Sequence, residues 1–271
     1  MVRAILFDLD DTLIVEEKAT EEALFCAATL VYQSYKVSPH LFIQTIKQIS
    51  ESLWLNSPQV AWCQAIGVSA REALWADLKE EIPEEKKLRD WILLYRQMSW
   101  KESLSAFRVK DACLAEEMSA CYIKECQRRH QVFPETFSVL KSLQGFRLGL
   151  LTNGFAGHQR SKLVRAGLAN FFPLVIVSAE FGQGKPHPGI FLKALSSLGV
   201  AAGETWMVGN CLINDISGAQ SVGIKTIWVN RSGQSLPTKI FPDVIVSNLQ
   251  QIGEVFSAGK KINPSSKTLG I

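Results

Sequence analysis

The sequence predicts an α/β fold, a parallel sheet with helices on both faces, interrupted near its start by a long helical insertion. Two observations carry that reading. Short apolar runs recur at 2–8, 146–152, 173–179, 205–209, 225–230 and 243–247, and continuous rather than alternating apolar character marks strands buried on both faces. Residues 16–130, by contrast, hold no convincing strand and are rich in Ala, Leu, Glu, Gln and Lys, which favour helix.

Taken in order, VRAILFD is the first strand, and Glu16 and Glu17 begin the expected hinge into the insertion. Within it, the spacing of Ser69 and Glu72 ahead of Ala73, Leu74 and Trp75 predicts a capped helix start. Trp54, Trp62, Trp75, Trp91 and Trp100, five of the seven tryptophans, are expected to fill a bundle core, with one or two open to lining a pocket. Residues 130–133 are the expected return crossing. Helices then alternate with strands. One covers 134–143 and stops at Gly145; a second covers 190–198 and stops at Gly199. A third carries Ile216, Ala219 and Val222 on one face and stops at Gly223. The chain therefore divides into a core of 1–15 and 131–256, an insertion of 16–130, and a tail of 257–271 that is expected to fray.

Composition narrows the function classes. The 271 residues are 47% hydrophobic and 20% charged, a globular composition and not a disordered one. A net charge of +3 gives no field that would favour nucleic acid or an acidic membrane. No charge-free run of about 18 apolar residues offers a membrane span, and the N-terminus lacks a secretory apolar segment. Six cysteines without a C-x-x-C pair point to reduced thiols and a cytoplasmic protein. Outside the insertion the chain holds 14 basic and 9 acidic residues, a modest excess compatible with an anionic substrate.

The chemistry gathers at strand ends, where ligands bind in open parallel sheets. Asp8, Asp10 and Asp11 follow the first strand, and Asp8 and Asp10 share a side if that strand continues. Two carboxylates there need a cation, a proton or solvent to offset their repulsion, although a solvated turn would also place Asp there. Thr152, Asn153 and Gly154 follow the next strand, with polar groups suited to an anion's oxygens or simply to a turn. Lys185 lies in GQGKPHP, where two prolines would stiffen its approach; solvation is its ordinary alternative. Asn210 and Asp215 lie in GNCLINDISGA, where Asp215 could equally cap a helix. His158 and Gln159 either face the same pocket or belong to a solvated loop or helix start.

These segments, DLDDT at 8–12, LLTNG at 150–154, GKPHP around Lys185 and GNCLIND at 209–215, resemble the four ordered motifs of the haloacid dehalogenase superfamily, in its phosphatase branch. The insertion after the first motif resembles that family's helical cap. The resemblance implies a Rossmann-like core with an all-helical cap, and a Mg²⁺-dependent phosphatase of a small phosphorylated metabolite. Asp8 would be the nucleophile and Asp10 the acid and base. Thr152, Asn153 and Lys185 would hold the phosphoryl group, and Thr12 would shape the loop. Asp8, Asp10 (through its main-chain carbonyl), Asn210 and Asp215 would hold the metal. An acid at Asp10 argues for phosphoryl transfer and against dehalogenation. The fourth motif departs from the family pattern, which has Asp where this chain has Asn210, so one negative charge is lost from the metal site. Two alternatives stay open: an impaired, ligand-binding or regulatory protein on the same fold, and a mutase on sugar phosphates. The sequence leaves the oligomeric state open.

Overall fold

A computed structural model describes residues 2–79, 82–129, 131–236 and 239–258. Among its described residues the insertion holds helices and no strand: α1 (Glu17–Tyr35), α2 (Pro39–Trp54), α3 (Val60–Ile66), α4 (Ala70–Ala73), α5 (Pro83–Ala106) and α6 (Ala112–Arg129). It is entered and left through a small antiparallel ribbon, after β1 (Ala4–Phe7), formed by β2 (Ile14–Val15) and β3 (Gln131–Val132). His130 lies outside the described residues. So do residues 259–271, the greater part of the tail expected to fray.

After the ribbon come α7 (Thr136–Ser142), β4 (Arg147–Thr152), α8 (Ala156–Arg165), β5 (Leu174–Val177), α9 (Ser178–Phe181), α10 (Pro188–Leu198) and β6 (Thr205–Gly209). A π-helical turn (Leu212–Ser217) and α11 (Gly218–Gln220) lead to β7 (Lys225–Val229), β8 (Val244–Val246) and α12 (Ile252–Ala258). Each expected run supplies one strand of a single parallel sheet, in the order β5-β4-β1-β6-β7-β8. The fold is therefore the expected α/β, Rossmann-like sheet with a helical cap.

Two expected strands end early. β1 stops at Phe7 and not at Asp8, and the chain then turns through Asp11 at φ 58°. β5 stops at Val177, and the next residues coil into α9. In both places a polar residue begins the departure from the ladder.

The apolar runs are continuous because the sheet is covered twice. Ala4 and Leu6 face one cluster with Ile190, Phe191 and Met207, and Ile5 and Phe7 face another with Leu140, Leu150 and Val208. The cap has its own core, where Ala23, Ala27 and Val31 of α1 meet Phe42, Ile46, Trp100 and Tyr122. Trp54, Trp75 and Trp100 are buried there, with Trp62 and Trp91 packed at its margin. Phe155, Ala156 and Ala179 of the sheet domain belong to this same cluster, so cap and sheet share apolar surface.

Close approach at that junction depends on glycine. Gly67 ends α3 at φ 76°, and a Cβ there would stand 2.4 Å from Asn153 Nδ2. A Cβ on Gly184 would meet Ile66 O at 2.8 Å and Asn153 Oδ1 at 2.7 Å. Hydrogen bonds from Gly184 N to Ala65 O (2.7 Å) and from Ser178 Oγ to Ile66 O (2.6 Å) fix this contact. Gly67→Ala therefore adds left-handed backbone strain of about 1–2 kcal/mol to a steric push on Asn153. A lowered Tm accompanied by weaker ligand binding, measured by thermal melts with and without inorganic phosphate, is the expected outcome.

Candidate active site

β4, β1 and β6 lie side by side, so Thr152, Asp8 and Asn210 emerge together at their carboxyl ends. They open on a cleft of about 250 Å³ whose lining also includes Asp10, Lys185 and Asp215. The cap closes over it with Gly67, Ser69, Arg71 and Glu72.

Lys185 is the centre of this arrangement. Its Nζ lies 2.6 Å from Asp8 Oδ1 and 2.7 Å from Asp215 Oδ1, and all three residues are buried. Burial works against its charge, but Asp215 and then Asp8 hold its pKa above the ordinary lysine value. Burial pushes Asp8 up to about 7; Lys185 opposes this, while Asp215 and Asp10 add to it. Asp215 Oδ2 also accepts from Cys211 N at 2.9 Å, so Asp215 is spent on the site and its loop and does not serve only as a helix cap. The Thr12 hydroxyl donates its one proton toward Asp8 Oδ2 (2.9 Å) and Asn210 Oδ1 (3.2 Å). Trp228 Nε1 fixes Asn210 by donating to its carbonyl oxygen at 2.9 Å.

Asn153 differs from expectation. Its Nδ2 donates to Lys185 O at 2.9 Å, and its Oδ1 accepts from Lys185 N at 2.8 Å. Both ends of the amide are committed to the Lys185 backbone, so the side chain aims the lysine and is not turned to phosphoryl oxygens. Thr152 is the opposite case, with its side chain uncommitted among the described residues. Its Oγ1 is buried, and no hydrogen-bond partner meets it among the described residues. An orphaned buried hydroxyl on the cleft wall is suited to an anion's oxygen.

Asp10 lines the cleft too, but not as the second residue of a continuing strand. Its carboxylate meets Lys162 Nζ at 2.5 Å and Gln159 Nε2 at 3.1 Å. Burial raises its pKa, against the pull of Lys162. Asp11 has a structural duty: its carboxylate accepts from Glu16 N and Glu17 N at the start of α1. Gln159 and His158 are both buried in α8 and neither belongs to a solvated loop. His158 Nδ1 accepts from Asp77 N of the cap at 3.1 Å, so it joins the two domains and does not face the cleft.

Lys162 and Glu72 escaped the sequence reading. Lys162 belongs to none of the four motifs. The signal was the three-residue spacing from Gln159, which puts both on one face of α8. Glu72 was read as half of a capping box. Ser69 Oγ does accept from Glu72 N, but the Glu72 carboxylate reaches away to Phe155 N at 3.3 Å. Withdrawal from water, and then the charges of Asp10 and Glu16, push Glu72 up to about 8.

The buried acids Asp8, Asp215 and Glu16, with the half-buried Asp10, outnumber the buried lysines 162 and 185. Asp8, Asp215 and the Asn210 amide give hard oxygen donors at one end of this cluster. Among the described residues no three His, Cys, Asp or Glu side chains form a complete metal cage. A magnesium site does not need one, since it uses few carboxylates and completes its shell with water and phosphate. The donors and the surplus negative charge therefore fit Mg²⁺.

Glu72 makes a pH prediction. Between its ordinary value of 4.5 and about 8, the folded chain keeps a proton that the unfolded chain has released. Stability from this group is therefore full at low pH and falls as pH rises through that window. Glu72→Gln removes this fall, so the variant's Tm should decline less than the wild type's between about pH 5 and about pH 8.5.

The haloacid dehalogenase-like hydrolase family model matches residues 2–223. A phosphoserine phosphatase of Thermus thermophilus is 34% identical over 253 residues, covering 93% of this chain and 98% of that protein. A glyceraldehyde 3-phosphate phosphatase of Methanopyrus kandleri is 30% identical, covering 85% of each chain. The hydrolase YfnB of Bacillus subtilis, in a crystal structure with magnesium bound, shares the fold with a TM-score of 0.63 at 23% identity, covering 94% of this chain and 98% of its own. The ordered strand-end residues, the cap and the full-length likeness to two phosphatases lead to one conclusion: the chain belongs to the haloacid dehalogenase-like hydrolases, in their phosphatase branch.

Proposed function

We propose that this protein is a Mg²⁺-dependent phosphatase that hydrolyses a small phosphomonoester through an aspartyl-phosphate on Asp8. The observation that carries this reading is the Asp8–Lys185–Asp215 bridge on the same cleft as the Thr152 hydroxyl, which meets no partner among the described residues. A nucleophile, a cation and a neutral donor meet at one strand-end cleft.

An Asp8 carboxylate oxygen attacks phosphorus, and the bond from phosphorus to the ester oxygen breaks. Asp10 gives a proton to that departing oxygen, releasing an alcohol. Asp10 then takes a proton from water, whose oxygen attacks phosphorus as the bond to Asp8 breaks. Inorganic phosphate leaves and Asp8 is restored. Lys185 and Thr152 hold phosphoryl oxygens, and the Lys185 charge offsets the negative charge that develops there. Asp8, the Asp10 carbonyl, Asn210 and Asp215 are the residues that would hold Mg²⁺, which when bound supplies further positive charge to those oxygens.

The substrate class follows from size and from the cap. A cleft of about 250 Å³ suits a small ester, and the relatives named for phosphoserine and glyceraldehyde 3-phosphate act on such esters. Arg71 lines the cleft from the cap and offers a positive charge to the groups of such an ester other than the phosphate. The six free cysteines support a cytoplasmic location.

Phosphate release from a panel including phosphoserine, glyceraldehyde 3-phosphate and p-nitrophenyl phosphate tests the activity. Mg²⁺-dependent turnover is expected, lost on chelation and reduced at least about 10³-fold in Asp8→Asn. Release that survives in Asp8→Asn would sink the mechanism.

Asn210 favours a second reading, in which weak metal binding leaves a ligand-binding protein. Asn210→Asp restores a charge beside Asp8 and Asp215. It should lower the metal-free Tm and tighten Mg²⁺ binding roughly tenfold or more, read from Tm against Mg²⁺ concentration. Turnover appearing only in this variant would favour the second reading.

A further inference from the structure

We infer that Lys162 and Gln159 are positioning residues that aim the Asp10 carboxyl at the leaving oxygen, an inference that rests on the reaction proposed above. Neither belongs to the cleft lining, so neither is placed to touch substrate. Both reach Asp10 from behind, from one face of α8. Lys162 Nζ holds Oδ1 at 2.5 Å, and Gln159 Nε2 holds Oδ2 at 3.1 Å. The two oxygens are thus anchored separately, which fixes the plane of the carboxyl and not merely its position.

Each anchor is itself anchored. Lys162 Nζ also meets Glu16 Oε2 at 3.0 Å, on the crossing into the cap, and lies 5.7 Å from the centre of the Trp75 ring of the cap. Gln159 Nε2 also donates to Asn153 O at 3.0 Å, just past β4. Asp10 is therefore tied to the sheet, to the crossing and to the cap at once. Keeping an ammonium buried is costly, and a lysine present only to balance charge would not require a second donor on the opposite oxygen. Proton transfer does require such aim, because a donor misplaced by about 1 Å costs about 10²-fold in rate.

The reading predicts a dependence on the leaving group. An alkyl alkoxide needs a proton to depart, whereas p-nitrophenolate departs without one. Lys162→Met should lower kcat about 10²-fold on the alkyl phosphate that the protein hydrolyses fastest, and at least tenfold less than that on p-nitrophenyl phosphate, with KM within about twofold on both. Gln159→Met should show the same pattern at about tenfold. It leaves the Lys162 ion pairs in place, which keeps the test readable if loss of the ammonium unfolds the chain. In an Asp10→Asn background, Lys162→Met should cost nothing more, since it acts through the missing carboxyl. Equal losses on both esters, no loss in either variant, or losses that multiply with Asp10→Asn would overturn the inference while leaving the phosphatase reading intact. A wild-type protein that releases phosphate from neither ester would remove that reading and this inference together.

Discussion

The structure depends on how negative charge is held at the end of β1. Asp8 and Asp10 leave the same strand within three residues, and each is given its own buried lysine. Lys185 reaches Asp8 from the loop beyond α9 and shares itself with Asp215. Lys162 reaches Asp10 from α8 and shares itself with Glu16. Removing one member of such a cluster leaves an uncompensated charge out of water, which commonly costs several kcal/mol. The clusters are thus structural commitments before they are chemical ones. In the proposed reaction they also divide the labour: one lysine meets the phosphoryl group, and the other holds the proton carrier.

Much of the surrounding architecture serves to deliver these lysines. The Asn153 amide clasps the backbone of Lys185 on both sides. Gly184, one residue earlier, brings that loop against Ala65 and Ile66 of the cap. At the other lysine, the N-terminus of α8 is satisfied by acids of the cap: Phe155 N donates to Glu72 and Ala156 N to Glu85. Exposed helix-end N–H groups accept carboxylates readily, so the cap finishes a helix that the sheet domain leaves open. Cap position and the orientation of Asp10 are coupled through this one helix.

The sheet was legible because burial on both faces writes itself as uninterrupted apolar runs, and the gathering of Asp8, Thr152, Lys185, Asn210 and Asp215 followed once those runs were aligned in parallel. What stayed hidden depends on contacts between segments far apart in sequence. Asn153 sits where a phosphate ligand would sit, and only the neighbouring lysine loop shows that its amide is already used. Glu72 satisfied a local capping pattern, so local reasoning stopped there, yet its carboxylate works across the domain junction. Lys162 carried no motif beyond its spacing from Gln159, and its burial is a tertiary fact. The early end of β1 was equally invisible, because the left-handed turn at Asp11 is secured by Glu16 and Glu17 amides on the next helix.

Asn210 is best understood within the same charge balance. Without a metal ion the site already crowds its carboxylates: burial, and then the charge of Asp215, push the Asp8 pKa up to about 7 against the pull of Lys185. A further carboxylate at position 210 would stand within reach of the Thr12 hydroxyl, which can give its one proton to Asp8 or to residue 210 but not fully to both. An amide relieves that competition. It can present its oxygen to a metal or turn its NH₂ toward Thr12 and leave the hydroxyl proton to Asp8. The substitution thus lowers the charge that draws a divalent ion and also lowers the repulsion that the metal-free fold must bear. Weaker metal attraction and a more stable metal-free site are two consequences of one missing charge.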